Sequence, residues 1–276
     1  MIPAPFEYQR ATSVDEAIRL LSDGGDDAKL LAGGHSLLPL MKLLLATPAL
    51  LVDIGGISDL SYVRDSGERL AVGALTRHAD LGRNDLCRSE APLLAHVAGQ
   101  IGDPQVRNRG TIGGSIAHGD PASDLPAACL ALEASFVVAG PSGQRTIAAT
   151  AFFRGFLETA LAPDEVIVEI LVPKVPGAGW SFQKFNRRAM DWAIVGVAAV
   201  TNGSTCIGLV NMGATPLRAT GAEEALAGGA SAAEAPGHAA DGLDLPSDLN
   251  ATPEYRRHLA TVLVRRALEE AAQNRT

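Results

Sequence analysis

Two short glycine turns, Ala32-Gly33-Gly34-His35-Ser36 and Thr111-Ile112-Gly113-Gly114-Ser115, constrain this chain more than any other feature. Leucine-rich or β-branched residues flank each one, so a buried element must end and the main chain must turn within a few residues. A glycine pair permits positive φ and close approach of a ligand to the backbone, and neighbouring N–H groups then converge into an anion-binding nest. Two such nests suit one pyrophosphate. Ser36, Thr111 and Ser115 add hydroxyl groups that can satisfy phosphate oxygens without a metal or a lysine-tipped loop. No Gly-Lys-Ser/Thr of the P-loop kind occurs, and neither turn completes Gly-x-Gly-x-x-Gly, which argues against P-loop and Rossmann readings. A single glycine pair is equally a plain tight loop; only the two together point to a dinucleotide.

A chain of 276 residues can bury a sizeable core and hold one large domain or two moderate ones. Aromatic residues make up only 4%, too few for base-stacking platforms, and 23 basic against 31 acidic side chains leave a formal charge of −8 that repels a phosphate backbone. No nucleic acid partner is expected. Pro39, Lys42 and Pro48 interrupt the apolar run from Leu37 to Val52, which is too short for a bilayer crossing, so no membrane span is expected. Met1-Ile2-Pro3-Ala4-Pro5 lacks the basic start and apolar core of a secretory signal, which makes a cytoplasmic location the expectation. Cys87, Cys129 and Cys206 lie far apart, with no Cys-x-x-Cys pair and no histidine cluster at metal-ligand spacing, so no metal site is expected in this chain.

Thr12-Ser13-Val14-Asp15-Glu16 followed by Ala17, Ile18, Leu20 and Leu21 predicts an N-capped amphipathic helix that stops at Gly24-Gly25. Lys29 to Ala32 reads as a buried strand entering the first turn, Leu37 to Leu45 as a helix, and Ala49 to Ile54 as a strand, a β-turn-α-β unit. Strands around Val63 and Val72 pair about Ser66-Gly67, and Thr76 is expected to cap a helix beginning at His78. Helices are expected over Pro92 to Ile101, Leu125 to Leu132 and Phe152 to Leu157, with strands at Ser135 to Ala139, Arg145 to Ile147 and, half-buried, Glu165 to Val172. Pro173 and Pro176-Gly177 place a domain boundary there; beyond it come three candidate antiparallel strands, Ser181 to Asn186, Ala193 to Thr201 and Cys206 to Asn211. An alanine- and glycine-rich stretch from Gly221 to Ala240 and an amphipathic helix from Tyr255 to Ala272 close the chain.

The order of strand, Ala-Gly-Gly-His-Ser, helix and strand, then Gln105-Val106-Arg107-Asn108-Arg109-Gly110 before the second turn and Asp120-Pro121-Ala122-Ser123-Asp124-Leu125-Pro126 after it, resembles the FAD-binding medium subunit of molybdenum hydroxylases, the carbon monoxide dehydrogenase and xanthine dehydrogenase family. The resemblance covers nearly the entire chain and implies an α+β architecture. Residues 1–175 would form a two-subdomain FAD-binding domain of the PCMH/vanillyl-alcohol-oxidase type (1–56 and 57–175), and 176–276 a smaller sheet-and-helix domain. It assigns FAD contacts to Lys29, Leu30, Leu31, Ala32, Gly33, Gly34, His35, Ser36 and Leu37, and to Thr111, Ile112, Gly113, Gly114 and Ser115. Ile101 would flank the adenosine end, Asp124 would accept hydrogen bonds from the flavin's sugar-like chain, and Ile167 and Lys184 fall at further contacts. Trp192 stands where relatives often carry a tyrosine near the isoalloxazine. No residue is assigned a catalytic role.

By the same resemblance, iron-sulfur centres on a small partner subunit would deliver electrons to this chain, which relays them to an external acceptor, and a large subunit would carry the molybdenum cofactor in a dimerised heterotrimer. A self-contained FAD oxidase or dehydrogenase, and a non-enzymatic assembly module on the same fold, are the alternatives. Plainer readings stand beside each assignment. Asp124 is also a helix cap, Ile101 core packing, Lys29 a strand-edge charge, Lys184 a surface residue, and His35 and His118 local hydrogen-bonding residues rather than proton shuttles. Arg107 and Arg109 suit either a phosphate or a neighbouring subunit.

Overall fold

The computed structural model describes residues 2–275; Met1 and Thr276, the outer ends of the two expected domains, lie outside them. Three sheets organise the chain. The first is parallel, with Leu50–Asp53 between Glu7–Arg10 and Ala28–Leu31. Its covering helix, Val14–Gly24, begins as the sequence predicts: Ser13 accepts from the Glu16 N–H, and the Glu16 carboxylate reaches back to the Thr12 N–H at 2.8 Å. Ala17, Ile18, Leu20 and Leu21 form its buried stripe. The Glu7–Arg10 strand has no sequence signal, because all four residues are exposed and none alternates in polarity; it is held by ladder bonds to Leu50–Asp53 and by the Tyr8 hydroxyl donating to Asp53.

The second sheet is antiparallel, in the order Val63–Ser66, Arg69–Gly73, Val166–Pro173, Ser135–Gly140, Gly143–Ala148. Its central strand, expected to be half-buried, has both faces covered: Val166 and Val168 pack into the core of the first unit, while Ile167, Ile170 and Val172 join the largest cluster. A layer of helices, including Pro92–Gln100, Ile112–His118 and Asp124–Ala131, lies on that second face.

The third sheet is an antiparallel meander of Gly179–Phe185, Val195–Asn202, Ser204–Val210 and Leu217–Arg218. The Pro253–Gln273 helix packs on one face, burying Leu259, Leu263, Val264 and Leu268. The Asp124–Ala131 helix packs on the other, so close that a β-carbon on Gly208 would sit 2.0 Å from the Ala127 carbonyl oxygen. The largest core cluster therefore runs from Leu70 to Val210, across residues 175 and 176.

Three local expectations are corrected. Phe152 to Leu157 is not a helix: Phe153–Gly155 pairs with Glu158–Thr159, because Phe152 and Phe153 pack edge-on against Phe136 and Leu157 turns the tip with φ of 57°. Thr76 does not cap the next helix; its hydroxyl donates to the Tyr62 carbonyl at 2.9 Å, and Arg77 occupies the cap. The helix after the first turn ends at Lys42 rather than Leu45, since Leu44 turns left-handed with φ of 59°.

Candidate functional site

The two glycine turns meet in space and are built differently. At the first, the chain leaves the Ala28–Leu31 strand, Gly34 takes φ of +76°, and the Leu37–Lys42 helix follows. Gly33 is required for a different reason: a β-carbon there would lie 2.2 Å from the Arg109 carbonyl oxygen. Among the described residues, no backbone hydrogen bond takes the N–H of Gly33, Gly34, His35 or Ser36. This turn is an open nest.

The second turn is not a nest but the start of the Ile112–His118 helix, and neither Gly113 nor Gly114 has positive φ. Its N–H groups are already used. Ile112 donates to Thr76 and Gly113 to Ala74 at 3.0 and 2.8 Å, while the Gly114 N–H is capped by the Thr111 hydroxyl at 3.2 Å. Gly113 lets this segment lie on Ala74, whose β-carbon would be 2.6 Å from one placed at Gly113. The expectation of two equivalent nests is thus corrected to one nest facing one capped helix start.

Between them lies a cavity of about 680 Å³, within the range of small-molecule and cofactor pockets. Lys29, Leu30, Leu31, Ala32, Gly33, Gly34, His35, Ser36 and Leu37 line one side, and Thr111, Gly113, Gly114 and Ser115 the other, with Ile101, Asp124, Ile167, Lys184 and Trp192 also on its wall. Ile112 is the exception. Its side chain is fully buried in the main core, pointing away from the cavity because the helix turns that face onto the second sheet.

Asp124 and Lys184 come from different sheets' neighbourhoods and meet at 2.6 Å, both nearly buried. Lys184 therefore faces inward, a point that alternation in a short strand leaves open. Asp124 is the first residue of its helix, but Ser123 holds the cap position and no side-chain cap bond forms, so capping is not its task. One Asp124 oxygen takes the lysine; the other, Oδ1, is buried with no partner. Burial pushes this carboxyl above the ordinary carboxylate range, against the pull of Lys184.

The plainer readings divide. Arg107 donates to the carbonyls of Ile101 and Gly102 at 2.9 and 3.2 Å, pinning the loop beside the cavity. His118 lies 4.0 Å from Asp120, and burial lowers its pKa. His78 lines the cavity although nothing in the sequence marks it: it opens a short helix, is 4% exposed, has an unpartnered Nδ1, and is lowered to about pKa 4 by burial, with His35 and Arg107 adding to the shift. Met190 and Asp191 line the cavity beside Trp192, and Met190 and Trp192 are each more than half exposed. Leu40, Ile54, Leu75 and Val166 complete an apolar wall with Leu30 and Ile167. Among the described residues, no three His, Cys, Asp or Glu side chains gather as a metal site would require.

These parts fit FAD: free N–H groups for a pyrophosphate, a buried acceptor for hydroxyls, and apolar walls for flat rings.

Comparison with known proteins gives the same answer. Residues 4–175 match the family described as FAD binding domain in molybdopterin dehydrogenase, and residues 180–271 match CO dehydrogenase flavoprotein C-terminal domain. The chain is 46% identical to the carbon monoxide dehydrogenase medium chain of Hydrogenophaga pseudoflava, over 98% of both chains. It is 36% identical to the glyceraldehyde dehydrogenase medium chain of Sulfolobus acidocaldarius, over 99% of this chain and 100% of the other. Among solved structures, it superimposes with a TM-score of 0.95 on a chain of carbon monoxide dehydrogenase from Hydrogenophaga pseudoflava lacking the Mo-pyranopterin moiety, at 46% identity and complete coverage of both. A chain of quinoline 2-oxidoreductase from Pseudomonas putida 86 gives 0.92 at 32% identity, again with complete coverage. A nest, a capped helix start and a buried carboxylate around one cavity, in a chain related over its full length to these proteins, place it in their family: it belongs to the FAD-binding medium subunits of the molybdenum hydroxylases.

Proposed function

We propose that the cavity between the two turns is where this chain holds FAD, as the electron-relay subunit of a molybdenum hydroxylase. The observation that carries the site assignment is the union, in one cavity, of unused N–H groups at Gly33 to Ser36 and an unpartnered buried oxygen on Asp124. The first turn would bind the pyrophosphate by its backbone. Asp124, fixed through its other oxygen by Lys184, would accept from cofactor hydroxyls, and Thr111 to Ser115 would close the opposite wall. Ile101 and Ile167 would pack on the cofactor and Trp192 would cover an exposed edge of it. Ile112 serves only by holding the second wall in the core.

FAD bound there supplies a redox carrier able to take electrons from iron-sulfur centres and hand them to an external acceptor. The relatives' names, medium chain and complex subunit, support a multi-subunit setting; an iron-sulfur small subunit and a molybdenum-cofactor large subunit are the proposed partners, in a heterotrimer that dimerises. Residues 1–175 and 176–276 are proposed as the two domains. No helix among the described residues is long and apolar enough to cross a membrane, and a cytoplasmic location is part of the proposal.

Visible absorption and flavin-fluorescence titration with FAD test the site. Wild type, alone or co-expressed with its partners, is expected to bind, and Gly114→Val to weaken binding at least about tenfold, because its side chain enters the cavity with only Ala32 at 4.0 Å beyond Thr111. Equal binding by the variant would reject the assignment.

A further inference from the structure

A buried guanidinium sits beneath the one cavity wall that comes from the third sheet. Arg256, near the start of the Pro253–Gln273 helix, is fully buried. Its Nη1 donates to the carbonyls of Ile194 and, at 2.9 Å, Asn211, and its Nη2 to Asp248 at 2.7 Å. Both carbonyls belong to a knot at the base of the 186–193 loop, which carries Met190, Asp191 and Trp192 to the cavity. The Ile194 N–H closes that loop on the Phe185 carbonyl at 2.8 Å.

Asn211 completes the knot. Its Nδ2 donates to the Ala193 carbonyl at 2.9 Å, and its backbone N–H donates to the Pro121 carbonyl at 2.7 Å. Pro121 lies in the turn leading to Asp124, where Asp120 accepts from the Ala122 N–H at 2.8 Å. Asn211 holds φ of 60°, a left-handed conformation that asparagine tolerates better than most residues. One residue thus grips the base of the Trp192 loop by its side chain, the Asp124 turn by its N–H, and Arg256 by its carbonyl. Burying a cation is a poor way to gain stability alone, since an apolar side chain of similar volume packs as well without desolvation cost. A planar guanidinium fork that fixes two carbonyls through Nη1 while Nη2 is anchored on Asp248 gains geometry instead.

We propose that Arg256 and Asn211 are positioning residues for the cofactor cavity, setting the Trp192 loop against the turn that carries Asp124. The proposal rests on the cavity reading above. They touch no cavity surface themselves and act through Ala193, Ile194 and Pro121.

The test uses the full chain in a Trp180→Phe background, so that Trp192 is the sole tryptophan, and reads its fluorescence anisotropy without cofactor and then the FAD dissociation constant. Asn211→Gly keeps the backbone conformation and its two backbone bonds while deleting the grip on Ala193; Arg256→Lys keeps the charge and loses the fork. Both are expected to lower Trp192 anisotropy and to weaken FAD about tenfold, with thermal midpoints within about 4 °C of the parent. Glu223→Gln is the control: it weakens the Arg218 pair and the bond to the Ile207 N–H in the same domain, away from the loop, and should leave anisotropy and affinity at parent values. Parent-like anisotropy in Asn211→Gly overturns the proposal, as does a fall in anisotropy with unchanged affinity, or an equal response in Glu223→Gln. Failure of the parent to bind FAD would count against the cavity reading, whereas the anisotropy comparison needs no cofactor and separately tests whether Arg256 and Asn211 hold the Trp192 loop.

Discussion

The two glycine turns share a sequence pattern and little else. Around Gly33-Gly34 the backbone is bent left-handed and its N–H groups are unused; around Gly113-Gly114 it is ordinary helix and its N–H groups are bonded to Thr76, Ala74 and Thr111. A glycine pair marks either a conformation that other residues resist or a contact too close for a β-carbon, and here both causes occur within one site. Gly34 answers to the first. Gly33 and Gly113 answer to the second, against Arg109 and Ala74. The open turn is equipped to bind an anion, and the packed turn to hold a wall still.

The two turns differ most in what Gly33 must avoid. Alanine there collides with a carbonyl oxygen rather than a movable side chain, so Gly33→Ala is expected to cost about 3 kcal/mol or more in urea denaturation. A loss below about 1 kcal/mol would show that the approach to Arg109 is not needed.

The packed side has a pH signature. His78 abuts Gly110, where a β-carbon would be 2.7 Å from the ring, and is held neutral with its pKa near 4. The unfolded chain takes up that proton below about 6.5 while the folded one does not, so stability is full above pH 6.5 and falls towards pH 4. The accumulated loss is on the order of 2–3 kcal/mol. His78→Gln should flatten that part of the stability curve, measured by denaturation at pH 7, 5.5 and 4.5; an unchanged slope would mean the ring is not dry.

Asp124 sharpens the binding side. Its carboxyl is raised in the free chain, whereas hydroxyl donors favour the ionised form, so FAD binding should lower its pKa and affinity should rise with pH through the acid range. Asp124→Asn is expected to weaken FAD about tenfold at pH 8 and to remove most of this pH dependence. A wild-type affinity that stays independent of pH from 8 down to about 4, the ordinary carboxylate range, would argue against Asp124 as the acceptor.

The smallest effect belongs to Gly114. Alanine improves helix propensity but brings its β-carbon to 2.9 Å from the capping Thr111 hydroxyl, so the two effects oppose and the change in unfolding free energy should stay within about 1 kcal/mol. A large loss would mean that the second turn, like the first, depends on backbone conformation.

Much of this molecule is determined locally. The capping box at Thr12 to Glu16, the apolar stripe through Ala17 to Leu21, the continuous apolar run of the Val195–Asn202 strand and the closing helix are written in short-range patterns, because a helix advertises its buried face at its own period and a strand covered on both faces reads as an unbroken apolar run. The spacing and order of the two glycine motifs likewise identified the family and brought nearly all the expected contacts to one cavity. Other features have no local cause. Glu7–Arg10 became a strand through its partner alone, and Phe153–Gly155 through an aromatic cluster with Phe136. Whether an N–H at a glycine turn is free for a ligand depends on what lies against it, and Ala74 and Thr76 are more than thirty residues from the second turn. The inward face of Lys184, the retreat of Ile112 into the core, and the presence of His78 at the cavity were decided by which surfaces the three sheets bury against one another. The sequence by itself specified which residue types and turns the site would use; the tertiary structure alone decided which of their hydrogen-bonding groups remained unspent, because that is settled by partners distant along the chain.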